Sequence, residues 1–448
     1  MIMLKIQFEF SDDLILTAHG GLSVVGALLE ASRVFSELNR IRLRENEHPT
    51  FSHTDVVKSY VGILCQGKSD FDYLETVRDD DTFRLCLNLN HVPSSPTVRQ
   101  RLDEAAASNL EKWNDILIRT GLELIQRVHA PLTGVKVGNK TYIPLDIDVS
   151  PFDNSGTKKE GVSRTYKGTG GYAPIFAYLG QEGYGVHVEL REGSTHVQKD
   201  TADFLAASIL YARIVPQKDL LVRMDAGHDS LENLRVCQAH KVDYIIKVNL
   251  RRTNEEEWLE YAQTYGTCTE PREGKKEYIG VREVEKPGFS SPLRQVFHVI
   301  HRTMDRHGQI LLVPDIEVNV YWTSLEGDPW RVVELYREHA TSEQFHSEIK
   351  SDLDLERLPS GKFRTNDLVF HLGLLAYNLL RIIGQKSLRL GGAPLRKHVH
   401  RRRIKSVIQN MITIAVRVVR HARPLKFVFG KHSPWAGVVS RLYAAFVT

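Results

Sequence analysis

Apolar residues recur at helical spacing through the first part of the chain. Residues 22–38 and 54–65 repeat apolar side chains three and four positions apart, which places them on one face of a helix. A Pro-Ser-Ser-Pro loop then opens another helical segment, with Ser95 as the expected N-cap, and a further helix is predicted at about 108–129. The pattern predicts a helical region over residues 1–135. It fits either a helix-turn-helix that binds DNA or simple helical packing and dimerisation.

The periodicity changes after Gly134, where short apolar runs alternate with helical segments. The runs 143–147 and 220–224 are apolar without alternation, which is typical of central strands buried on both faces. The expected class is therefore α/β with a mixed sheet, in the order β-β-β-α-β-α-β. The predicted strands are 141–148, 172–179, 185–190, 220–224 and 242–248, and the predicted helices are 200–214 and 231–240.

A segment with weak helical spacing separates this region from the helices that follow. Short extended runs lie at 277–284, 295–302 and 317–325, between charged and glycine-containing links, and predict a β-rich insertion. Helices are expected beyond it at about 329–350, at 366–383 and, in the tail, at 404–422.

Composition excludes several classes of protein. The chain has 448 residues, 42% of them hydrophobic and 25% charged, so a folded protein is expected and wholesale disorder is excluded. No run approaches the roughly 18 apolar residues of a membrane span, and the N-terminus turns acidic too early for a signal peptide. The cysteines are isolated, which argues against both a disulfide framework and a paired zinc motif and favours a reduced, cytoplasmic compartment.

Charge is distributed unevenly along the chain. The formal net charge is +4, but residues 368–448 carry 15 Lys and Arg and no Asp or Glu, so the first 367 residues carry 4 − 15 = −11. Arg417, Arg420 and Arg423 stand three apart in the predicted tail helix. A basic block of this kind indicates contact with a polyanion such as DNA. The alternative is a tail that packs its apolar residues on the body and exposes arginines to solvent.

Three acids stand out by position. Asp148, with Asp146 two residues earlier, ends the first predicted strand, and Asp225 ends the fourth. Polar groups at strand ends converge on a shared crevice in an α/β sheet. Asp146 and Asp148 point to the same face because side chains alternate along a strand. One of them is then expected to be a ligand and the other a support, although an isolated strand-end aspartate is often only a turn residue.

The third acid comes from the predicted helix at 329–350. Tyr336, His339, Glu343, His346 and Lys350 are spaced 3, 4, 3 and 4 residues apart, which would form one stripe about 21 Å long. Three carboxylates without cysteine ligands suit Mg²⁺ or Mn²⁺. Two such ions about 3.5–4 Å apart support in-line displacement at phosphorus. Gly168–Gly171 lacks the Lys-Ser/Thr ending of a phosphate loop and predicts a turn.

The helix with this stripe resembles the signature of the DDE transposases of bacterial insertion sequences, Y-x2-R-x3-E-x6-K. Tyr336, Glu343 and Lys350 match it, whereas His339 stands at its arginine position and cannot form the bidentate fork of an arginine. The branch concerned carries a β-strand insertion between its second aspartate and its glutamate.

Two further stretches support the resemblance. The LDIDVS stretch is similar to the family's first-aspartate strand, in a register that favours Asp148 over Asp146 as the metal ligand. The VRMDAG stretch is similar to the second-aspartate motif at Asp225. The gaps of 77 residues from Asp148 to Asp225 and 118 residues from Asp225 to Glu343 follow the family pattern.

The resemblance implies a ribonuclease H-like catalytic core with a β-rich insertion, a helical N-terminal region and a basic helical tail. The core would comprise residues 136–250 and 328–390, the insertion 251–327 and the tail 391–448. Residues 1–135 would serve DNA-end binding or dimerisation.

It also implies a reaction and its partners. Asp148, Asp225 and Glu343 would bind two Mg²⁺, with Mn²⁺ as a substitute, and a hairpin intermediate is expected in cut-and-paste transposition. The partners are transposon-end and target DNA, bound by a homodimer on paired ends in the bacterial cytoplasm, at the nucleoid when bound; no membrane or small-molecule substrate is expected. Tyr336, His339 and Lys350 would contact phosphates, and Trp322 would stack on a flipped base unless it is a core residue of the insertion.

Two other functions remain open at this point. One is a domesticated DNA-binding protein that keeps the fold without cleaving, and the presence of all three acids argues against it. The other is a ribonuclease H-like nuclease without strand transfer, against which the insertion and the signature helix weigh.

Overall fold

Helices form most of the N-terminal region. The computed structural model describes residue 8 and residues 14–43, 51–215, 218–251, 253–397, 399–420 and 425–447. A short strand, β1 (Ile15–Thr17), comes first, and the helices are α1 (Leu22–Ala31), α2 (Val34–Leu38), α3 (His53–Leu64), α4 (Asp81–Cys86) and α5 (Ser95–Arg127). The helical character predicted for this region is confirmed.

The longest of these helices begins and breaks close to the predicted positions. Ser94, one residue before the predicted Ser95, is the N-cap of α5, and its hydroxyl accepts the Thr97 N–H at 3.4 Å. Asn109 has a non-helical backbone (φ −143°, ψ 26°) and kinks the helix near the boundary that the sequence predicts. Apolar residues on both sides of the kink, such as Leu102 and Trp113, are buried in the main core.

A large mixed sheet forms the centre of the protein. In the part of the chain described, it has ten strands, and five of them run in the order β8-β7-β3-β9-β10, with β8 at one edge. β3 pairs in parallel with β9 and antiparallel with β7, and β9 pairs in parallel with β10. The elements are β2 (Val135–Val137), β3 (Lys140–Val149), β4 (Phe152–Asp153), β5 (Ser163–Arg164), β6 (Gly170–Tyr172), β7 (Ile175–Leu179), β8 (Tyr184–Glu189), α6 (Thr201–Ala212), β9 (Asp219–Met224), α7 (Leu231–Ala239) and β10 (Asp243–Lys247).

This order and direction of strands is a ribonuclease H-like sheet, so the predicted fold class is confirmed. The apolar runs in β3 and β9 are buried, as expected for strands covered on both faces. The glycine-containing run at 168–171 is a hairpin turn between β5 and β6 rather than a phosphate loop.

The insertion extends the same sheet. Its last strand pairs antiparallel with β10, with Trp322 opposite Ile246, so the four added strands continue the core sheet at one edge. The helix α8 was not predicted, because Trp258 and Ala262 are its only buried residues and its apolar face is narrow. The elements are α8 (Glu255–Tyr265), β11 (Thr267–Arg272), β12 (Lys275–Val284), β13 (Leu293–Met304) and β14 (Ile310–Thr323).

The predicted helix at 329–350 is two helices. After α9 (Pro329–His339), the Ala340 and Thr341 N–H groups bond to carbonyls three residues back, those of Arg337 and Glu338, and the chain restarts as α10 (Ser342–Ser347). A π-helical turn, Glu348–Asp352, follows. The single continuous helix predicted from 329 to 350 is therefore wrong, but His339, His346 and Lys350 of the predicted stripe still face the end of β3, where they contact Asp146, Asp148 and Pro151.

The next helix is the long core helix α11 (Phe363–Arg389). It is long and apolar enough to cross a membrane, but 94% of its most apolar window is buried inside the protein. It packs along α5 and β8, which favours the packing interpretation of the N-terminal helices.

The tail is not the long helix that the sequence predicts. The first part of the predicted helix is present as α12 (Ile404–Val407) and a π-helical turn, Ile408–Ile412. Beyond it lie β15 (Val416–Arg420), β16 (Leu425–Phe429) and α13 (Ala436–Val447), and β15 pairs with both β1 and β16. The prediction failed because the Val-Arg-Val-Val-Arg run of β15 alternates buried and exposed residues at its start and is rich in β-branched valine, which favours a strand.

Ion pairs attach the start of the tail to the segment after α10. Glu348 is buried and bonds both the buried Arg381 and Arg401, the latter at 2.7 Å. Arg403 contacts Asp352 at 2.9 Å. The basic residues here neutralise buried acids of the body, although the Arg403 side chain itself remains 52% exposed.

This network predicts a stability difference between two glutamine substitutions. Glu348→Gln should lower the free energy of unfolding by about 3–5 kcal/mol, because it leaves the Arg381 guanidinium buried without its counter-charge. Glu334→Gln removes an exposed pair with Arg331 and should cost less than about 1 kcal/mol. Urea unfolding of both variants measures the difference, and equal losses would contradict the role given to Glu348.

Candidate active site

Two aspartates meet at the carboxyl ends of adjacent strands. The parallel register of β3 and β9 pairs Ile147 with Met224, so Asp148 and Asp225 follow side by side. The Asp148 side chain is 20% exposed and the Asp225 side chain 47% exposed. Asp225 also caps the turn after β9, where its Oδ1 accepts the Gly227 N–H at 3.0 Å. Both carboxylates remain accessible to a ligand.

Asp148 is held by a histidine from α10. His346 Nε2 lies 3.2 Å from Asp148 Oδ2, and its Nδ1 lies 3.2 Å from the Tyr178 hydroxyl. Burial alone would raise the pKa of Asp148, but the hydrogen bond and charge of His346, with the charges of His339 and His228, bring it below its usual value. Asp148 is therefore anionic at neutral pH.

Asp146 belongs to a buried ionic cluster. Its two oxygens accept hydrogen bonds from Arg223 at 2.6 and 2.7 Å, and Oδ1 also lies 3.0 Å from His339 Nδ1. Burial opposes ionisation, but Arg223 and His339 keep the pKa of Asp146 below its usual value. Arg223 donates further to the Leu335 carbonyl at 2.7 Å, which ties α9 to the sheet.

The cluster bears on two predictions, the phosphate contact of His339 and the choice of Asp148 over Asp146 as the ligand. His339 is buried against Asp146, so the prediction that it contacts DNA phosphate is wrong. Asp146 has its oxygens engaged and is almost inaccessible, which agrees with the preference for Asp148 as the ligand.

A third histidine lies beneath Asp225. His228 is fully buried, its Nδ1 is 3.5 Å from Asp225 Oδ1, and neither ring nitrogen has a hydrogen-bond partner among the described residues. Burial lowers its pKa, although Asp225 and Asp148 act in the opposite direction. The pattern of the sequence did not predict a histidine at this place, and its position three residues after Asp225 was the signal available.

Glu343, Tyr336 and Lys350 come from the helical segments facing this edge. Glu343 is exposed on α10. Burial raises the pKa of the Tyr336 hydroxyl, with smaller contributions from Asp225, Tyr321 and Asp148. Lys350 donates to the Pro151 carbonyl at 2.6 Å, just beyond β3, and burial lowers its pKa to about 8.

The three acids do not form a closed metal site in this conformation. Among the described residues, no three His, Cys, Asp or Glu side chains are arranged to bind one ion together. Asp148 and Asp225 adjoin at neighbouring strand ends, whereas Glu343 is exposed on α10. Carboxylate oxygens are the donors that Mg²⁺ prefers, so the chemistry of the set fits this ion.

The remaining predicted DNA contacts lie elsewhere. Trp322 is 4% exposed and its indole N–H donates to Asp229 at 2.9 Å, so it is a core residue and is not available to stack on a base. Arg417 is exposed on β15, and Arg420 pairs with Asp81 at 3.1 Å. Arg423 lies outside the described residues.

Comparisons with known proteins identify the family. The comparison with curated proteins found no match. Seven chains of solved structures match, among them the piggyBac transposase synaptic complex with hairpin DNA, at 12% identity over 88% of this chain and 80% of that chain, with a TM-score of 0.43. The family described as "Transposase DDE domain group 1" matches residues 4–447. Since this match spans nearly the whole chain, the protein belongs to that family and is a DDE transposase.

Proposed function

We propose that this transposase cuts DNA at the ends of its own element with Asp148, Asp225 and Glu343. The observation that supports this most is the parallel pairing of β3 with β9, which brings the two aspartates side by side at neighbouring strand ends. A site of three carboxylates at one sheet edge suits phosphoryl transfer.

Asp148, Asp225 and Glu343 would hold two Mg²⁺, with Mn²⁺ as a substitute. Bound ions of this kind activate a water or a 3′-hydroxyl and stabilise the leaving oxygen of an in-line displacement. The anionic state of Asp148 prepares it as a ligand without the loss of a proton. Closing the site requires a movement of α10 or a rotation of Glu343.

Lys350 and Tyr336 would bind the phosphates around the scissile bond. With a pKa of about 8, Lys350 is largely charged at neutral pH, and its bond to the Pro151 carbonyl leaves two N–H donors for a phosphate. The raised pKa of Tyr336 keeps its hydroxyl protonated, so it acts as a donor. These two contacts agree with the signature positions they occupy.

The finer assignment is part of the same proposal. We place the enzyme in the cut-and-paste branch found in bacterial insertion sequences, with a hairpin intermediate and a homodimer on paired ends. The match of Tyr336, Glu343 and Lys350 to the signature supports it, as does the insertion that joins β14 to the edge of the core sheet.

Loss of a carboxylate should abolish cleavage and spare DNA binding. Asp225→Asn and Glu343→Gln should each slow cleavage of end DNA in Mg²⁺ at least about 1,000-fold, because several kcal/mol of transition-state stabilisation are lost. Denaturing gels measure cleavage and gel shifts measure binding, with Glu334→Gln as the exposed control. Undiminished cleavage by either variant would refute the triad.

The wild-type products separate the alternative functions. Binding without cleavage, in Mn²⁺ as well as Mg²⁺, would indicate a non-cleaving DNA-binding protein. Cleavage that yields free 3′-hydroxyls but no strands joined to target DNA would indicate a nuclease without strand transfer.

Substitutions of Asp146 and Asp148 should have different effects, the first on stability and the second on cleavage. Asp146→Asn breaks a buried ion pair with Arg223 and should lower the free energy of unfolding by about 3–5 kcal/mol. Asp148→Asn should leave the fold nearly unchanged and abolish cleavage. Urea unfolding and single-turnover cleavage, measured on both variants, test this division, and an Asp146→Asn protein with wild-type stability would contradict it.

An exposed tail arginine should contribute to DNA binding electrostatically. Arg417→Gln should reduce the slope of log affinity against log salt by about 1, because one phosphate contact is lost. Arg302 is already paired with Asp315 and Glu317, so Arg302→Gln should leave the slope unchanged. An unchanged slope for Arg417→Gln would favour a tail that serves packing alone.

A further inference from the structure

Basic side chains from three parts of the chain lie together where α11 ends and the tail begins. Lys386 and Arg389 stand three apart in the last turn of α11, on one face of that helix. Arg396 and Lys397 belong to the segment that follows, and Arg441 belongs to α13. Four of the five are exposed, and Lys386 is partly exposed. We refer to these five residues as the basic patch.

The segment after α11 returns to the end of that helix. Gln385 Nε2 donates to the His400 carbonyl at 3.2 Å, so the chain folds back within fifteen residues. Arg389 and Lys397 consequently line the same cavity, which has a volume of about 420 Å³. The two parts of the basic patch that are separate in sequence thus form one surface.

The third part, from α13, is attached by an arginine. Arg441 Nη2 donates to the Gly391 carbonyl at 2.8 Å, two residues beyond Arg389. Gly391 and Gly392 have φ angles of +71° and +66°, a backbone that glycine adopts without strain at the end of a helix. A Cβ on Gly392 would lie 2.4 Å from Arg441 Nη2, so glycine also permits this close approach.

The charge of the basic patch is not neutralised within the described part of the chain. None of its five residues has a carboxylate there within ion-pair distance, in contrast to Arg401 and Arg403. The acid that lines the cavity, Glu182, is buried, and its oxygens accept the Thr133 N–H at 2.9 Å and the Thr133 hydroxyl at 2.5 Å. The end of α11 supplies only about half a negative charge, which cannot balance five cations.

The basic patch lies close to the helix that carries Glu343. Arg401 Nη2 donates to Gln344 Oε1 at 2.7 Å, and Gln344 follows Glu343 on α10. The four residues from Lys397 to Arg401 span at most about 14 Å. One turn of a DNA duplex is about 34 Å long. A duplex bound at Glu343 therefore has phosphates within one turn that can reach the basic patch.

We propose that the basic patch binds the phosphate backbone of transposon-end DNA, within one helical turn of the cleavage site. DNA carries one negative charge for about every 1.7 Å of its axis, so it matches a group of unpaired cations better than a protein surface of mixed charge. Contacts to phosphate would position the DNA without reading its sequence. This inference rests on the proposed cleavage of end DNA.

The test is the salt dependence of end-DNA binding by the double variant Arg389→Gln/Lys397→Gln. The slope of log affinity against log salt should fall by about 2, and the affinity at 0.1 M salt should fall about 10- to 100-fold, because two phosphate contacts are lost. Fluorescence anisotropy of a labelled end duplex measures both quantities. The midpoint of thermal unfolding should change little, since neither side chain has a hydrogen-bond partner among the described residues.

The matched control removes two cations that are already paired. Arg78 contacts Glu75 at 3.4 Å and Arg84 contacts Asp81 at 3.2 Å, both at the surface. Arg78→Gln/Arg84→Gln lowers the net charge by the same amount and should leave the slope unchanged. Equal losses in the two double variants would indicate an effect of net charge alone and would overturn the proposal.

Phosphate ethylation of the end duplex locates the contact. Ethylation of phosphates within one turn of the cut should weaken binding by wild type. The double variant Arg389→Gln/Lys397→Gln should lose this sensitivity at some of those phosphates and keep it elsewhere, because a contact that is already absent cannot be lost again. An interference pattern identical to that of wild type would contradict the assignment.

Other occupants of the basic patch give different results. An unchanged slope for end DNA with weaker joining to target DNA would overturn the proposal and assign the basic patch to target DNA. An unchanged slope with weaker self-association in sedimentation would overturn it in favour of a second copy of the chain.

The failure of this inference is distinguishable from failure of the proposed function. If wild type cleaves, Glu343→Gln does not, and Arg389→Gln/Lys397→Gln keeps the wild-type slope, the basic patch is wrongly assigned and the triad stands. If wild type fails to cleave in Mg²⁺ and in Mn²⁺ but the slope still falls by about 2, the proposed function is wrong and the DNA contact is supported.

Discussion

The buried pair of Asp146 and Arg223 is the interaction on which the site depends. The two residues are direct partners in the parallel register of β3 and β9, and the carboxylate also receives His339 from α9. An ion pair this deeply buried survives only when its remaining donors and acceptors are satisfied, and here the Leu335 carbonyl takes another guanidinium N–H. The cluster thus joins two strands and one helix at a single point.

The position of this cluster also decides which of the two aspartates, Asp146 or Asp148, is available to bind a ligand. Side chains alternate along β3, so Asp148 faces the same side as Asp146, beyond the end of the cluster. Asp148 keeps solvent access, and among the described residues the histidine within hydrogen-bond distance of its carboxylate is His346. The arrangement gives a structural aspartate and an anionic, accessible one within three residues, with a histidine next to each.

Part of the positive charge of the tail is neutralised by acids of the body. In the acid-free tail, Arg401 forms an ion pair with Glu348, and Arg403 forms one with Asp352. Both acids lie in the turn that directly follows α10. These contacts anchor the segment that carries Glu343 and Lys350, so part of the basic tail supports the active site. Arg417 is exposed on β15, so its charge is accessible to a polyanion such as DNA.

The sequence by itself determined the strand order, the insertion and the candidate acids, because hydrophobic runs and strand-end polar residues are local patterns. It did not determine the break after α9, the strands of the tail or the narrow-faced α8, since each depends on what the segment packs against. The roles of His339 and Trp322 were decided by tertiary structure alone. Their types suit DNA contact, but both side chains are buried, His339 against Asp146 and Trp322 with its indole N–H donating to the half-buried Asp229. The burial of His228 beside Asp225 was likewise decided by folding, because its position three residues later in the sequence does not show that the ring is covered.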